Sequence, residues 1–377
     1  AASIARRFGV GVIRDHAPRV NAPPRGGAGG VLECGQHVYP AQASGARWID
    51  GHSAPARPAG PEGKRGEMTT SPLLQYAFFE GEFVPSDQAK VSIATHALQY
   101  GTGAFGGIRG YLDNDGRTIN IFRLPDHVRR LLHSGRLLRA ELPYSVDDVC
   151  GIITELVRRN APRHNVYIRP FIYKASLQLV PRLTGLKDEL AVYMIPLDDY
   201  LDLSKPVRLM VSSWQRIEDN IIPSRGKVTG GYINSALAKD QAAEAGYDDA
   251  IMLNEHGEVA EASGANLFIV RNGTLVTSPV TSDILEGITR RSIVEFARDA
   301  GIPVEERSID RSELYIADEA FLCGTGVQIA AIGSIDGRPI GDGKRGPTTE
   351  KLQDIFFTLV RGGESPYRHY LTQVPIE

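Results

Sequence analysis

Cysteine is scarce: Cys34, Cys150 and Cys323 are the only three among 377 residues. Three scattered thiols exclude a disulfide framework and a cysteine-rich metal site, and they fit a reducing cytoplasm. A charge bias is missing too, with 42 Lys and Arg against 45 Asp and Glu and a formal net charge of −3. That excludes a strongly basic nucleic-acid binder. No uncharged apolar run approaches the about 20 residues that span a bilayer, so no membrane partner is expected. Neither G-x-S-x-G nor H-E-x-x-H occurs, and the nine histidines are dispersed. Hydrolase and metalloenzyme readings therefore lack support, and no metal is expected. What is present is ordinary: 42% hydrophobic and 23% charged residues, enough for a large core in two to three domains of about 150 residues each.

The four methionines begin only at Met68. The preceding 67 residues hold 12 Ala, 12 Gly and 7 Pro without periodicity, and nine basic against five acidic side chains, a local +4. They lack the apolar centre of a secretory signal and the serines of an organelle transit peptide. We read residues 1–67 as a disordered or non-native extension, with the functional chain running over the 310 residues from Met68.

From Met68 the pattern changes. Tyr76–Val84 reads as a hairpin about Glu80-Gly81, and Lys90–Thr95 and Ile119–Phe122 read as short strands. Apolar residues at Val128, Leu131, Leu132, Leu137 and Leu138 predict a helix over 126–140. Val149, Ile152, Ile153, Leu156 and Val157 predict another over 147–160. The apolar strands Val166–Tyr173 and Leu190–Ile195 close a small domain, residues 68–196. The polar, proline-ended stretch 197–206 reads as an interdomain loop. Within 207–377, strands are expected at Val207–Ser213, Ala250–Leu253, Leu267–Val270, Thr274–Thr277 and Ala320–Cys323. Helices are expected at Gly231–Gly246, Gly287–Ala300 and Thr348–Val360, and Asn272-Gly273 is a hairpin cue. The fold class expected is α+β in two domains.

Residues 101–106 match G-x-G-x-x-G, but a dinucleotide site needs a strand directly before that motif and a helix opening on it. Here His96-Ala-Leu-Gln99 precedes it and Ile108–Leu112, which reads as a strand, follows. The glycines serve instead to let backbone approach a pocket or a neighbouring subunit. Lys227 is more informative, with Gly226 before it, Gly230-Gly231 after it and Arg225 nearby. Such surroundings can depress its pKa and make it an amine nucleophile. Glu261 places an acid before a glycine turn and an apolar strand, and residues 285–290 (LEGITR) open a helix with free N–H groups and a threonine hydroxyl. An amine, an acid to face a pyridine nitrogen and a phosphate cradle are what a pyridoxal-phosphate site requires.

Eight segments in order carry a resemblance: HALQYGTGAFGGIRGY (96–111), DHVRRL (126–131), VYIRPFIY (166–173), SSWQR (212–216), PSRGKVTGGY (223–232), EASGANLF (261–268), LEGITR (285–290) and CGTGVQIA (323–330). The chain from Met68 onward resembles the class IV, or fold type IV, pyridoxal-phosphate-dependent aminotransferases, particularly the branched-chain amino acid transaminases. That resemblance implies a small α/β N-terminal domain and a larger pseudo-barrel α/β C-terminal domain. Lys227 matches the lysine that carries the cofactor and moves the Cα proton, Tyr232 the partner of the phenolate oxygen, and Glu261 the acid at the pyridine nitrogen. Arg130, Ile288, Thr289 and Thr325 match the phosphate anchors, and Leu285 the side chain packed on the ring. Tyr100, Phe105, Tyr167, Arg169, Tyr200, Gly326 and Val327 match the substrate-facing set. Tyr100 would serve a neighbouring subunit, which implies a homodimer or larger.

Two positions depart from the family pattern: Gly106 and Ala265 stand where many relatives have Glu. The stretch from Tyr173 to Gln178 lacks a glycine-rich run seen in many branched-chain enzymes, as in a subgroup some of whose members also accept (R)-amines. The expected activity is transfer of the amino group of Leu, Ile or Val to 2-oxoglutarate. The alternatives are transamination of D-amino acids or (R)-amines, or aminodeoxychorismate lyase chemistry on the same fold. From a different class, a catalytically silent cofactor-binding protein is a further alternative.

Overall fold

The hairpin at the start of the folded chain forms because two successive residues accept positive φ. Glu80 (48°) and Gly81 (92°) turn the strand Tyr76–Phe79 into Glu82–Pro85, as a two-residue turn between twisted strands demands. The computed structural model describes residues 72–197 and 205–376. The extension 1–67, Tyr200 and most of 197–206 lie outside the described residues.

This hairpin edges an eight-stranded sheet whose paired neighbours are all antiparallel. Its centre is the pair Val166–Lys174 and Asp188–Pro196, in register along nine residues. Ile108–Leu112 and Thr118–Phe122 continue the sheet, and Gly103–Phe105 pairs with the far end of Val166–Lys174. Helices Leu124–Leu137 and Val146–Asn160 lay the predicted stripes on it: Val128, Leu131, Val149, Ile153 and Leu156 pack with Ile119, Ile121, Ile168 and Val192. Ser145 and Asp148 form a reciprocal capping box at the second helix start. The edge opposite the hairpin is Leu371–Pro375, so the end of the chain belongs with the first sheet and not with 207–377.

The second sheet has nine strands and is mixed. Val207–Val211 runs parallel to both Asp249–Leu253 and Gln328–Ile335, while Glu319–Gly324 and Asn266–Arg271 pair antiparallel. Asn272 (50°) and Gly273 (76°) make the expected hairpin into Thr274–Thr277. Helices Tyr232–Glu244, Ile288–Asp299 and Pro347–Val360 stand within two residues of their predicted positions. Buried Glu319 accepts the Thr348 and Thr349 backbone N–H groups at 2.9 Å each, closing the start of the last helix from a neighbouring strand.

One expected element is absent. Lys90–Thr95 forms no strand. Its β-branched residues suit a strand locally, but Val91 and Ile93 are exposed and no sheet edge receives them. The glycine motif at 101–106 is also no nucleotide loop. Gly101 ends the short helix His96–Tyr100 at φ 64°, and no helix opens on the glycines. A Cβ at Gly101 would sit 2.8 Å from the Gly230 Cα. These glycines let the backbone touch the segment that carries Lys227: Gly230 N–H donates to the Gly101 carbonyl at 3.1 Å and Phe105 N–H to the Lys227 carbonyl at 2.9 Å.

Candidate active site

Lys227 is held through both of its backbone polar groups. Its N–H donates to Ser134 Oγ at 3.1 Å and its carbonyl accepts from Phe105. The side chain then enters a cavity of ≈490 Å³. There Nζ donates to the Tyr232 hydroxyl at 2.5 Å and lies 5.1 Å from the Phe105 ring centre. Tyr232 begins the helix Tyr232–Glu244 and meets Phe105 edge to face at 4.7 Å. Burial, and after it the nearby Arg130 guanidinium, bring the Lys227 amine down to about 8. Burial pushes the Tyr232 hydroxyl up to about 12, so at neutral pH it stays protonated and can donate.

Arg130 and a helix start meet in the wall of this cavity. Arg130, on helix Leu124–Leu137, donates through Nη1 to the Glu286 carbonyl at 3.1 Å. That contact places the guanidinium beside Gly287, which precedes the first turn of Ile288–Asp299. The first N–H groups of a helix have no intrahelical acceptor, and the helix dipole favours negative charge there. Leu285, Ile288, Thr289 and Thr325 line the same cavity.

Glu261, 6% exposed, lines the same cavity. Oε1 pairs with Arg216 at 3.1 Å, and Oε2 accepts from Asn266 Nδ2 at 2.8 Å and the Leu285 N–H at 3.2 Å. Burial pushes this carboxyl up, against the Arg216 charge and the Leu285 N–H, which favour the carboxylate. On the side nearer the first sheet, Arg169 Nη2 donates to the Tyr167 hydroxyl at 3.1 Å, with its guanidinium carbon 4.5 Å from the Phe105 ring centre. Arg109, only 2% exposed, donates to the carbonyls of Gly326 and Leu197 at 3.1 Å each. It thereby ties the 325–327 loop to the end of the first sheet.

Every described residue of the expected site lines this one cavity except Tyr100, which is 40% exposed and meets the His96 ring at a tilt, 4.7 Å between centres. Tyr200 lies outside the described residues. Arg216, Asn266, Ser134 and Arg109 were given no role from sequence. Arg216 stood in SSWQR and Arg109 in the glycine segment, yet nothing local showed which carboxylate or carbonyl each would meet. The departures have a steric counterpart. A Cβ at Gly106 would come 2.8 Å from Pro170 Cγ, so a side chain there needs Pro170 to move. Ala265 leaves its part of the cavity wall apolar. Among the described residues no group of His, Cys, Asp and Glu could hold a metal ion, and no helix is long and apolar enough to cross a membrane.

The donor set fits pyridoxal phosphate: an amine, a hydroxyl donor, a buried acid and an anion cradle share one cavity. Only the neutral amine attacks a carbonyl. Covalent capture of pyridoxal phosphate by the cofactor-free protein is therefore expected to speed up about tenfold per pH unit until it levels off near pH 8. Stopped-flow absorbance checks this; a plateau reached only near the ordinary lysine value of 10.5 would contradict it.

Comparison with known proteins agrees with the geometry. The family model for class IV amino-transferases matches residues 103–335. A probable branched-chain-amino-acid aminotransferase of Aquifex aeolicus is 46% identical over 308 residues, 81% of this chain and 99% of that protein. The crystal structure of a branched-chain aminotransferase from Thermoproteus uzoniensis with norvaline superposes with a TM-score of 0.77 at 41% identity, covering 80% of this chain and 99% of that one. The T.th. branched-chain amino acid aminotransferase complexed with N-(5'-phosphopyridoxyl)-L-glutamate gives 0.76 at 40% identity, covering 79% and 98%. With a lysine, a buried acid, an arginine and a helix start gathered in one cavity, and relatives matched along nearly their whole length, the chain belongs to the class IV aminotransferases.

Proposed function

We propose that this chain moves the amino group of L-leucine, L-isoleucine or L-valine to 2-oxoglutarate, giving branched 2-oxo acids and L-glutamate, with pyridoxal phosphate as cofactor. The observation that carries the reading is the single cavity lined by Lys227, Tyr232, Glu261, Arg130 and Ile288, with Lys227 Nζ on the Tyr232 hydroxyl. The norvaline and phosphopyridoxyl-glutamate complexes of its relatives supply the substrate classes.

When bound, the cofactor supplies a ring that accepts negative charge from the substrate Cα. Arg130, the first N–H groups of Ile288 and Thr289, and Thr325 would hold its phosphate, and Leu285 would support the ring. Glu261 would favour the protonated ring nitrogen, and Tyr232 would supply a hydrogen bond to the phenolate. Lys227 Nζ removes the Cα proton and delivers it again, a role that suits an amine brought down to about 8. Tyr167, Arg169, Phe105, Tyr200 and the Gly326-Val327 backbone bind and orient the substrate. A panel of L-valine, D-alanine and (R)-1-phenylethylamine with 2-oxoglutarate tests the choice. Turnover is expected with L-valine; turnover confined to either of the other two donors would overturn it.

We also infer that a second copy covers an apolar surface beside the site. Leu98, Tyr100, Leu177, Leu179 and Ile233 are all exposed. They are drawn together by the hydrogen bonds between His96 and Val180 and between Gly230 and Gly101. Apolar surface of this kind marks an interface, and a partner seated there would receive Tyr100. Sedimentation is expected to give a dimer or larger; an active monomer would refute it. The scattered cysteines suit a cytoplasmic enzyme.

A further inference from the structure

A second cavity, ≈640 Å³, lies behind the Arg130 wall of the first. The two share Arg130, Gly287 and Ile288, so a single layer of protein separates them. Six arginines line it (Arg129, Arg130, Arg225, Arg290, Arg291 and Arg298) against three carboxylates, Asp126, Glu286 and Glu306. No lysine is among them.

Two of the carboxylates are shared. Asp126 pairs with Arg129 at 2.8 Å and Arg291 at 2.9 Å, and it also holds buried Arg123 at 2.7 Å. Glu306 is divided between Arg290 at 2.8 Å and Arg298 at 3.4 Å. Glu286 pairs with Arg225 at 2.8 Å, while Arg130 reaches only its backbone carbonyl. Arg290 is 5% exposed, and its Nε has no hydrogen-bond partner among the described residues. A buried guanidinium N–H left unmatched, inside a wall with more guanidinium than carboxylate, favours an anion.

We propose that this cavity binds a phosphate dianion, free or as a small phosphate monoester, at a site distinct from the cradle that faces Lys227. Planar guanidinium forks match the oxygen spacing of phosphate and grip it in pairs, which suits a wall whose cations are all arginine. The cavity also communicates with the cofactor. Arg130 belongs to both, so an anion on the far side competes for the guanidinium that closes the cradle, and the two anions repel across it. Binding linkage then makes each weaken the other by the same factor. This coupling rests on Arg130 holding the cofactor phosphate; the second site itself does not.

The test uses the cofactor-loaded enzyme, whose own cradle is filled. Calorimetric titration with inorganic phosphate, and separately with pyridoxamine phosphate, is expected to give saturable binding of one per chain. Equal binding of both means that the phosphate group alone is recognised; binding of pyridoxamine phosphate only means that the cavity selects a monoester. The double variant Arg291→Ala/Arg298→Ala is expected to bind at least about tenfold more weakly, the worth of one charge-assisted hydrogen bond. Its visible cofactor absorbance and turnover are expected to be unchanged. Arg298→Ala alone, at an exposed position, serves if the double variant folds poorly. Absence of saturable binding, or binding undiminished in these variants, overturns the site. Phosphate is also expected to hasten cofactor release from the wild type but not from the variant. Binding without faster release would keep the site and overturn the coupling through Arg130.

Discussion

Replacing Lys227 by alanine is expected to lower turnover with L-leucine and 2-oxoglutarate by at least about 10⁴-fold, since in the proposed function one substitution removes both the covalent anchor of the cofactor and the group that moves the proton. The visible absorbance of the covalently held cofactor is expected to vanish with it. Structural damage does not explain such a loss, because stability should move the other way. The amine lies at about 8 in the folded chain against an ordinary value of 10.5. The unfolded chain therefore binds more protons between those values, and stability of the cofactor-free protein rises with pH across that window. Below pH 8 the folded state carries a buried charge held at a cost. Alanine removes it, so the cofactor-free variant should melt no lower than the wild type at pH 7. The backbone contacts of residue 227, to Ser134 and Phe105, survive the change. A variant that retains the absorbance band, or turnover within tenfold of the wild type, would refute the assignment.

The candidate site is legible in sequence where its residues are compressed into short segments. Lys227 and Tyr232 are five residues apart, joined by one helix start, and they meet at 2.5 Å. The helix start beside Arg130 is likewise legible in the segment LEGITR. The helices were legible because their apolar stripes repeat over fourteen and fifteen residues. What escaped depends on pairings far along the chain. Gln328–Ile335 lies between Val207–Val211 and Glu319–Gly324, and Leu371–Pro375 closes a sheet begun almost 300 residues earlier. Lys90–Thr95 shows the converse: a strand-like composition forms no strand without an edge to join. The role of Arg216 is not legible locally, because its partner lies 45 residues onward, on the strand Val259–Ala262.

That partner gives the second large effect. Glu261→Gln preserves shape and removes one charge, yet no orientation of the amide suits the site. Arg216 donates toward one carboxylate oxygen, and Asn266 Nδ2 and the Leu285 N–H donate toward the other. A glutamine must set its own NH₂ against a donor at one end or the other. The guanidinium of Arg216, 11% exposed, would also lose its counter-charge. Removing one member of a buried pair costs about 3–5 kcal/mol, so the urea midpoint of the variant should fall clearly. Turnover should fall by about 10²–10³-fold, the usual worth of a fixed charge placed where charge develops. The two effects can be separated. Adding Arg216→Met removes the stranded guanidinium and should recover much of the stability. It cannot restore an acid at the ring nitrogen, so turnover should stay low. If the double variant recovers turnover together with stability, Glu261 only supports the fold; if turnover stays low in a stable protein, the carboxylate itself serves the reaction.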